Sequence, residues 1–270
     1  MPALSRRHAA GAESARGLLF TVLGEFVLPA GGSAWTSSFI DVFARLGVEE
    51  KATRQALART AADGWITPVR AGRRTSWSLT ADGSRLLTDG TERIYTFRGS
   101  QPGWDGSWLL VIARVQETDR SARHLLRTRL GWAGLGSPAP GVWITTHTSR
   151  QDEVTRVLKQ AGVADGQIFV ARHSGGGSLE TLVAQAWDLV AIDQQYGEFL
   201  SEFAAAEAGD PLVRLIELVH AWRRFPSADP GLPASLLPGR WSGTAAAELF
   251  AARHETWSRD ATEQWNGLGG

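Results

Sequence analysis

The sequence predicts an α+β fold, and three observations carry that prediction. Residues 14–80 run helix, helix, short turn, helix, hairpin. Residues 106–173 alternate apolar strand-like runs with amphipathic helical ones. From Leu179 onward the pattern is helical and acidic, interrupted by one proline-rich corner. In order, these predict an N-terminal winged helix-turn-helix over residues 1–98, a central ferredoxin-like βαββαβ domain over 99–175, and a mostly α-helical C-terminal domain over 176–270.

The first helix is read from "SARGLLFTVLGEFVL", with Leu18, Val22 and Phe26 at helical spacing and Ser14 as its N-cap; Pro29, Gly31 and Gly32 end it. In "SAWTSSFIDVFARLG" Phe39, Ile40, Phe43 and Leu46 fall on one side, Ser/Thr caps start the helix, and Gly47 closes it in a tight turn. "EEKATRQALARTAADG" follows at once, acidic in its first turn as the helix dipole prefers and stopped by Gly64. At 100° per residue, Thr53, Ala56, Leu57 and Thr60 share one face of this third helix, while Lys51, Arg54, Gln55 and Ala58 share the opposite one. "GWITPVRAGRRTSWSLT" then alternates Trp65, Thr67, Val69 and Thr75, Trp77, Leu79 about a turn near Ala71–Gly72, which predicts a hairpin. Pro68 cannot donate to a ladder, so its strand belongs at an edge or a bulge. Thr80 or Asp82 caps a further helix.

Pro102, Gly103 and Gly106 mark a boundary near residue 100. After it, "GSWLLVIARV" predicts a buried strand and "DRSARHLLRTRLG" an amphipathic helix opened by Asp119. A short strand near Leu135, the strand "GVWITT", the helix "QDEVTRVLKQAG" and the strand "GQIFVARH" complete a βαββαβ order. "HSGGGS" reads as a flexible joint. "LETLVAQAWDLVAIDQQYGEFLSEFAAAEAG" reads as one long helix, "DPLVRLIELVHAWRRF" as another and "TAAAELFAARHETWSRDATEQW" as the last. Between the latter two, the proline-rich corner "FPSADPGLPASLLPGRWSG" reads as a rigid connector, since proline lowers the entropy of the unfolded loop.

The chain has 270 residues and no cysteine, which excludes disulfides, thiolate metal sites and a cysteine nucleophile and suits a reducing, cytoplasmic compartment. Its first apolar run, "LLFTVLGEFVL", is short and carries Glu25, so no membrane span or signal peptide is predicted. Zero net charge hides an asymmetry: +3 over residues 1–97, +4 over 98–175 and −7 over 176–270. Lys51–Trp77 holds six basic residues against one acid, Asp63. Like charges packed at a hairpin tip repel one another unless they meet an anion. Lys51, Arg54, Gln55 and Arg59 on the third helix, with Arg70, Gly72, Arg73 and Arg74 at the tip, are therefore the candidate DNA-binding residues; a solvated helix face is the plainer alternative. Gly72 would allow a tight tip whose backbone approaches a phosphate.

Other chemistry finds little support. "GLGSPA" spells a dinucleotide-binding glycine pattern but follows a helix and precedes a proline turn. No P-loop, nucleophile elbow or zinc-protease motif occurs, and the six histidines are isolated. His220 with Trp222, Arg223 and Arg224 could hold CoA phosphates and an aryl group, or could equally be a salt-bridged helix end. Trp104, Trp187 and Trp222 are the tryptophans that could line a ligand pocket.

"SARGLLFTVLGEFVLP", "ATRQALARTAADGWI" with "GRRTSWSLT", and "LVHAWRRFPSADPGLPASLLPGRW" resemble the PaaX family of bacterial repressors of phenylacetic acid catabolism, and the likeness covers nearly the whole chain. The resemblance implies a cytoplasmic homodimer without cofactor that binds palindromic operator DNA and is released by an aryl-acyl-CoA, typically phenylacetyl-CoA. By position, Lys51, Arg54, Gln55 and Arg59 match the family's recognition helix, and Gly72, Arg73 and Arg74 its wing. His220, Arg223, Arg224, Pro226, Asp229, Pro230 and Pro233 match its C-terminal signature. Thr53 and Thr60 depart from the larger aliphatic residues expected there. The central part resembles the ferredoxin-like subunit of CRISPR adaptation complexes, some of which are metal-dependent nucleases. Arg114 stands where such a nuclease would need a carboxylate, which points to a dimer element or spacer. A metal-dependent nuclease and an acyl-CoA-binding module without a DNA role are the alternatives.

Overall fold

The order of elements in the computed structural model, which describes residues 11–98, 103–115, 119–163, 165–205 and 209–268, follows from where caps and apolar residues fall in the chain. The elements gather into two units. One comprises Met1–Thr96, Ala205–Trp222 and Leu249–Gly270, the other Phe97–Ala204 and Arg223–Glu248. The chain beyond residue 176, expected as one helical part, thus contributes to both.

In the first unit α1, Gly11–Val22, continues into a π-helical turn, Leu23–Val27, closed by the Leu28 N–H on the Leu23 carbonyl. Ser14 lies within this helix and is not the N-cap expected of it. The widened turn places Glu25 where the Tyr95 hydroxyl donates to it and His254 Nε2 lies 2.8 Å away. A three-residue strand, β1 (Ser33–Trp35), leads into α2 (Thr36–Arg45). No hydroxyl caps α2. Instead Thr36 Oγ1 donates to the Thr75 carbonyl and accepts from Trp77 Nε1, which ties the helix start to the sheet. The buried face is Ser38, Phe39, Val42 and Phe43, so Val42 takes the inward place read for Ile40.

Gly47, at φ 74°, ends α2 with its N–H on the Ala44 carbonyl while Val48 N–H reaches Phe43, a Schellman closure. Gly64 repeats the device at the end of α3 (Glu50–Ala62). The hairpin is β2 (Ile66–Ala71) and β3 (Arg74–Leu79), joined by the two residues Gly72 and Arg73. Strand order is β1-β3-β2, all antiparallel, and β2 with Pro68 lies at the edge as the missing N–H requires. Thr80 Oγ1 accepts the Gly83 N–H and caps α4 (Ala81–Thr96).

Leu19, Leu23, Phe39, Phe43, Leu57 and Ile66 are fully buried in this unit, with Phe26 nearly so. Removing each such side chain from water contributes about 1.5–3 kcal/mol. The later helix α9, Pro211–Trp222, adds Leu212, Leu215 and Ile216 to this buried set. Trp265, on the part of α11 (Gly243–Gly267) that lies in this unit, stacks on Phe26 at 5.3 Å and meets Phe39 edge-on.

In the second unit β4 (Ser107–Ile112), α5 (Arg120–Trp132), β5 (Gly136–Ala139), β6 (Val142–Thr145), α6 (Gln151–Gln160) and β7 (Gln167–Arg172) build an antiparallel sheet of order β5-β6-β4-β7. This is the ferredoxin-like arrangement the sequence predicts. Leu109 and Val111 of β4 face Leu126 and Leu130 of α5 and Val154, Val157 and Leu158 of α6. Asp119 caps α5 by accepting the Ala122 N–H.

The expected long helix from Leu179 is two, α7 (Leu179–Ala186) and α8 (Leu189–Phe203). The break has a local cause. Trp187 turns extended, and Asp188 accepts the Ala191 N–H as N-cap of α8. The proline corner is a folded core rather than a connector. After the short helix α10 (Phe225–Ala228), Asp229 is buried, accepting from the Tyr196 hydroxyl and the Gly231 N–H at 2.7 Å each. Phe225 stacks on Tyr196 at 4.1 Å.

Candidate nucleic-acid interface

Two turns position α3. Leu46, Gly47, Val48 and Glu49 separate it from α2, and its small inner residues let it pack closely on α1 and α2. Thr53, Ala56, Leu57 and Thr60 are the buried residues of the helix, the face that 100° spacing predicts. Thr53 satisfies its hydroxyl on the Glu49 carbonyl at 3.2 Å, whereas the buried Thr60 hydroxyl has no hydrogen-bond partner among the described residues. The opposite face carries Lys51, Arg54, Gln55 and Arg59, all exposed. Glu50, Lys51, Arg54, Gln55 and Ala58 border one shallow concavity there.

Glu50 is the one anion on this face that the periodicity left out. Its carboxylate takes Arg54 Nε at 2.8 Å and Arg54 Nη2 at 2.7 Å. An exposed pair one turn apart is worth about 0.2–0.5 kcal/mol, less than the about 1–3 kcal/mol of a bidentate arginine–base contact, so the pairing orients Arg54 without locking it away.

At the hairpin tip Arg70, Gly72, Arg73 and Arg74 are all exposed. Gly72 has φ 62° and Arg73 a negative φ, the pattern of a two-residue type II′ connection, which only glycine enters without strain. The turn is therefore Gly72–Arg73, one residue beyond the position read from the sequence. Arg74 places its guanidinium 4.3 Å from the centre of the Trp35 ring. Sequence reasoning missed Trp35, because a three-residue strand has too few positions to show an alternation.

The boundary between the two units falls within the candidate ligand residues. His220 and Trp222 end α9 in the first unit, while Arg223 and Arg224 lie beyond the helix and open a segment of the second. Trp222 has no exposed surface: its ring stacks on Phe250 at 4.8 Å and its N–H donates to the Ile94 carbonyl. An indole so enclosed packs in the core of this unit. His220 Nδ1 lies 3.2 Å from Thr21 Oγ1, and Arg224 sits 5.1 Å from the Phe225 ring centre. Burial lowers the Arg223 pKa from its ordinary value. In the central sheet Arg114 is exposed just after β4, and among the described residues no three His, Asp or Glu side chains cluster as a metal site.

Family models match most of the chain: "PaaX-like protein" over residues 14–83, "PaaX protein central Cas2-like domain" over 101–183 and "PaaX-like protein C-terminal domain" over 187–267. The transcriptional repressor PaaX of Escherichia coli (strain K12) is 32% identical over 261 residues, which span 90% of this chain and 81% of that protein.

The chain belongs to the PaaX-like family.

Its fold agrees with that of a solved structure. The uncharacterized protein Rv0674 from Mycobacterium tuberculosis superposes with a TM-score of 0.57 at 23% identity, over 87% of this chain and 91% of its own, a likeness of fold alone. In this PaaX-like chain α3 and the hairpin lie within the first matched segment, the ferredoxin-like sheet within the second, and the Asp229 corner within the third. Among the described residues no helix is long and apolar enough to cross a membrane.

Proposed function

We propose that this PaaX-like chain is a cytoplasmic, homodimeric, DNA-binding transcriptional repressor without enzymatic activity. Its operator is released by an aryl-acyl-CoA such as phenylacetyl-CoA. The observation that carries the DNA reading is the exposed cationic face of α3, Lys51, Arg54, Gln55 and Arg59, in a winged helix-turn-helix whose hairpin tip exposes Arg70, Arg73 and Arg74. The kinship with a transcriptional repressor supports it.

In this reading each α3 of the dimer enters a major groove, one helical turn or a multiple apart along a palindromic site. Arg54 and Gln55 have the donor and acceptor geometry to read purine edges. The tip arginines lie on phosphates, which supplies affinity without sequence information. The Gly72 backbone, with no Cβ and nothing packed on it, lets the chain come close to a phosphate. The effector acts by binding one state of the repressor better than the operator-competent one, and the difference in affinity sets how far the equilibrium moves. A nuclease reading asks for a carboxylate where Arg114 stands.

The test is a gel shift of duplex DNA from upstream of the protein's own gene, repeated with a panel of acyl-CoAs. A retarded complex that phenylacetyl-CoA dissolves, and that acetyl-CoA leaves intact, is the expected result. No complex at any protein concentration would overturn the DNA reading, and cleavage of the duplex with Mg²⁺ or Mn²⁺ would favour the nuclease.

A further inference from the structure

In the second unit, between the C-terminal end of α5 and the short helix α10, lies a cavity of about 360 Å³ bordered by Arg127, Trp132, Leu135, Trp187, Ser227 and Pro230. Two indoles, a leucine and a proline supply the apolar part of a mixed lining. Trp187 is held in place by a glycine: a Cβ on Gly136 would stand 2.4 Å from the indole, so only glycine leaves room for that ring. Trp132 is 52% exposed, an unusual position for the largest apolar side chain, and Arg129 lies 5.4 Å from its ring centre. Arg127, Thr128 and Ser227 supply polar groups to the same lining. This is the composition of a small-molecule site.

The helix that leads to the cavity is as one-sided as the cavity itself. Arg120–Trp132 carries four arginines and no acid. Arg120, Arg123 and Arg127 are exposed and spaced three and four residues apart, so they form one stripe, on the order of 10 Å long, that ends at the cavity mouth. The cavity volume suits an aromatic ring with a short acyl arm and leaves no room for a nucleotide as well. Whatever follows the ring must leave along the surface, and the arginine stripe is the adjacent surface that favours anions.

We propose that this cavity and stripe bind a ligand with a flat apolar head and a multiply anionic tail, the chemistry of an aryl-acyl-CoA. The aryl group lies between Trp132 and Trp187, and the phosphates lie along Arg127, Arg123 and Arg120. A DNA backbone could use the stripe, but it has no use for two indoles lining the cavity beside it. The site deepens the repressor reading by giving its effector a place, and ligand binding can be measured apart from DNA binding.

The experiment is calorimetric titration of the full-length protein with phenylacetyl-CoA, free CoA and phenylacetate, with a gel shift on every sample in the absence of ligand. The variants are Trp132→Ala, Trp132→Phe, Arg127→Glu and, as an electrostatic control on an exposed residue away from the stripe, Arg240→Glu. Trp132→Ala is expected to weaken phenylacetyl-CoA about fivefold or more with little change for free CoA, and Trp132→Phe to restore most of the loss. Arg127→Glu is expected to weaken both CoA species by about tenfold, and Arg240→Glu to leave them unchanged. All four should shift DNA as the unsubstituted protein does. Unchanged phenylacetyl-CoA affinity in Trp132→Ala and Arg127→Glu would overturn the site, as would absence of binding by the unsubstituted protein. Loss of DNA affinity in Arg127→Glu with ligand binding intact would overturn it too and assign the stripe to DNA. Failure of the unsubstituted protein to shift DNA would instead count against the repressor reading and leave the ligand data standing.

Discussion

The guanidinium of Arg74 on β3 lies 4.3 Å from the ring centre of Trp35 on β1. Trp35 pairs with Ser76, two residues along from Arg74, so the contact is the diagonal one that long side chains make across an antiparallel pair. It holds one of the tip arginines against the sheet and orders it before any anion arrives. Trp35→Ala should therefore weaken binding to operator and scrambled duplex alike by about 0.5–1 kcal/mol, or two- to fivefold. Fluorescence anisotropy on the two duplexes checks this, and a loss confined to the operator would contradict it.

Asp229 gives a pH signature to the proline corner. Burial pushes its carboxyl up to about 6, against hydrogen bonds from Tyr196 and Gly231 that favour the charged form. The same pair raises the Tyr196 hydroxyl, mainly through burial and then through the Asp229 charge. A carboxyl whose folded pKa exceeds its unfolded value contributes stability below the unfolded pKa, near 4, and loses it as pH rises through about 6. The contribution is at most about 3 kcal/mol. Asp229→Asn keeps a neutral side chain of the same shape at every pH. Its thermal midpoint relative to the unsubstituted protein should therefore climb between pH 4.5 and pH 7, and a constant difference across that range would refute the assignment.

Two threonines on the inner face of α3 should respond differently to the same change. Thr60 buries a hydroxyl with no partner among the described residues, and Thr60→Val replaces it with an apolar group of nearly the same shape. The variant should gain about 1 kcal/mol in urea unfolding. Thr53 already bonds to the Glu49 carbonyl, so Thr53→Val should gain nothing. Equal responses would show that burial alone sets the effect.

Why the inner face of α3 could be read from the sequence while other features could not is a matter of range. Thr53, Ala56, Leu57 and Thr60 repeat with the helical period, Asp119 stands one residue before its helix, and Pro68 forbids a central strand; each signal is local. Trp187 breaks the expected long helix without a glycine or proline, through the Asp188 cap and a seat that Gly136 provides from fifty residues away. The π-helical turn of Leu23–Val27 has no periodicity of its own and is understood only through Glu25 meeting Tyr95 and His254. Of the candidate DNA residues every one is exposed as read, but Glu50 beside Arg54 and Trp35 beneath Arg74 were not foreseen, since both matter through three-dimensional neighbours. The proline corner looked like a connector because its packing partner, Tyr196, comes from α8.

Gly136 offers a direct check on the seat of Trp187. An added methyl would meet the indole at 2.4 Å and the Ala186 carbonyl at 2.7 Å, so the ring, the backbone or both must move. Gly136→Ala should cost about 1–3 kcal/mol, a fall of several degrees in the thermal midpoint. An unchanged midpoint would mean that Trp187 can leave its place without penalty.

The central claim is a division of labour, with α3 distinguishing bases and the arginine tip holding phosphates. The measurement that tests it most directly is operator affinity as a function of salt and of sequence, for Arg73→Ala with Arg74→Ala and, separately, for Gln55→Ala. The tip variant should lose affinity for every duplex and flatten the log–log salt dependence by about one unit per lost phosphate contact, while Gln55→Ala should change which base is preferred by about 1–3 kcal/mol at an unaltered slope. A tip variant with the original salt slope, or a Gln55→Ala variant that loses affinity uniformly across sequences, would contradict the account.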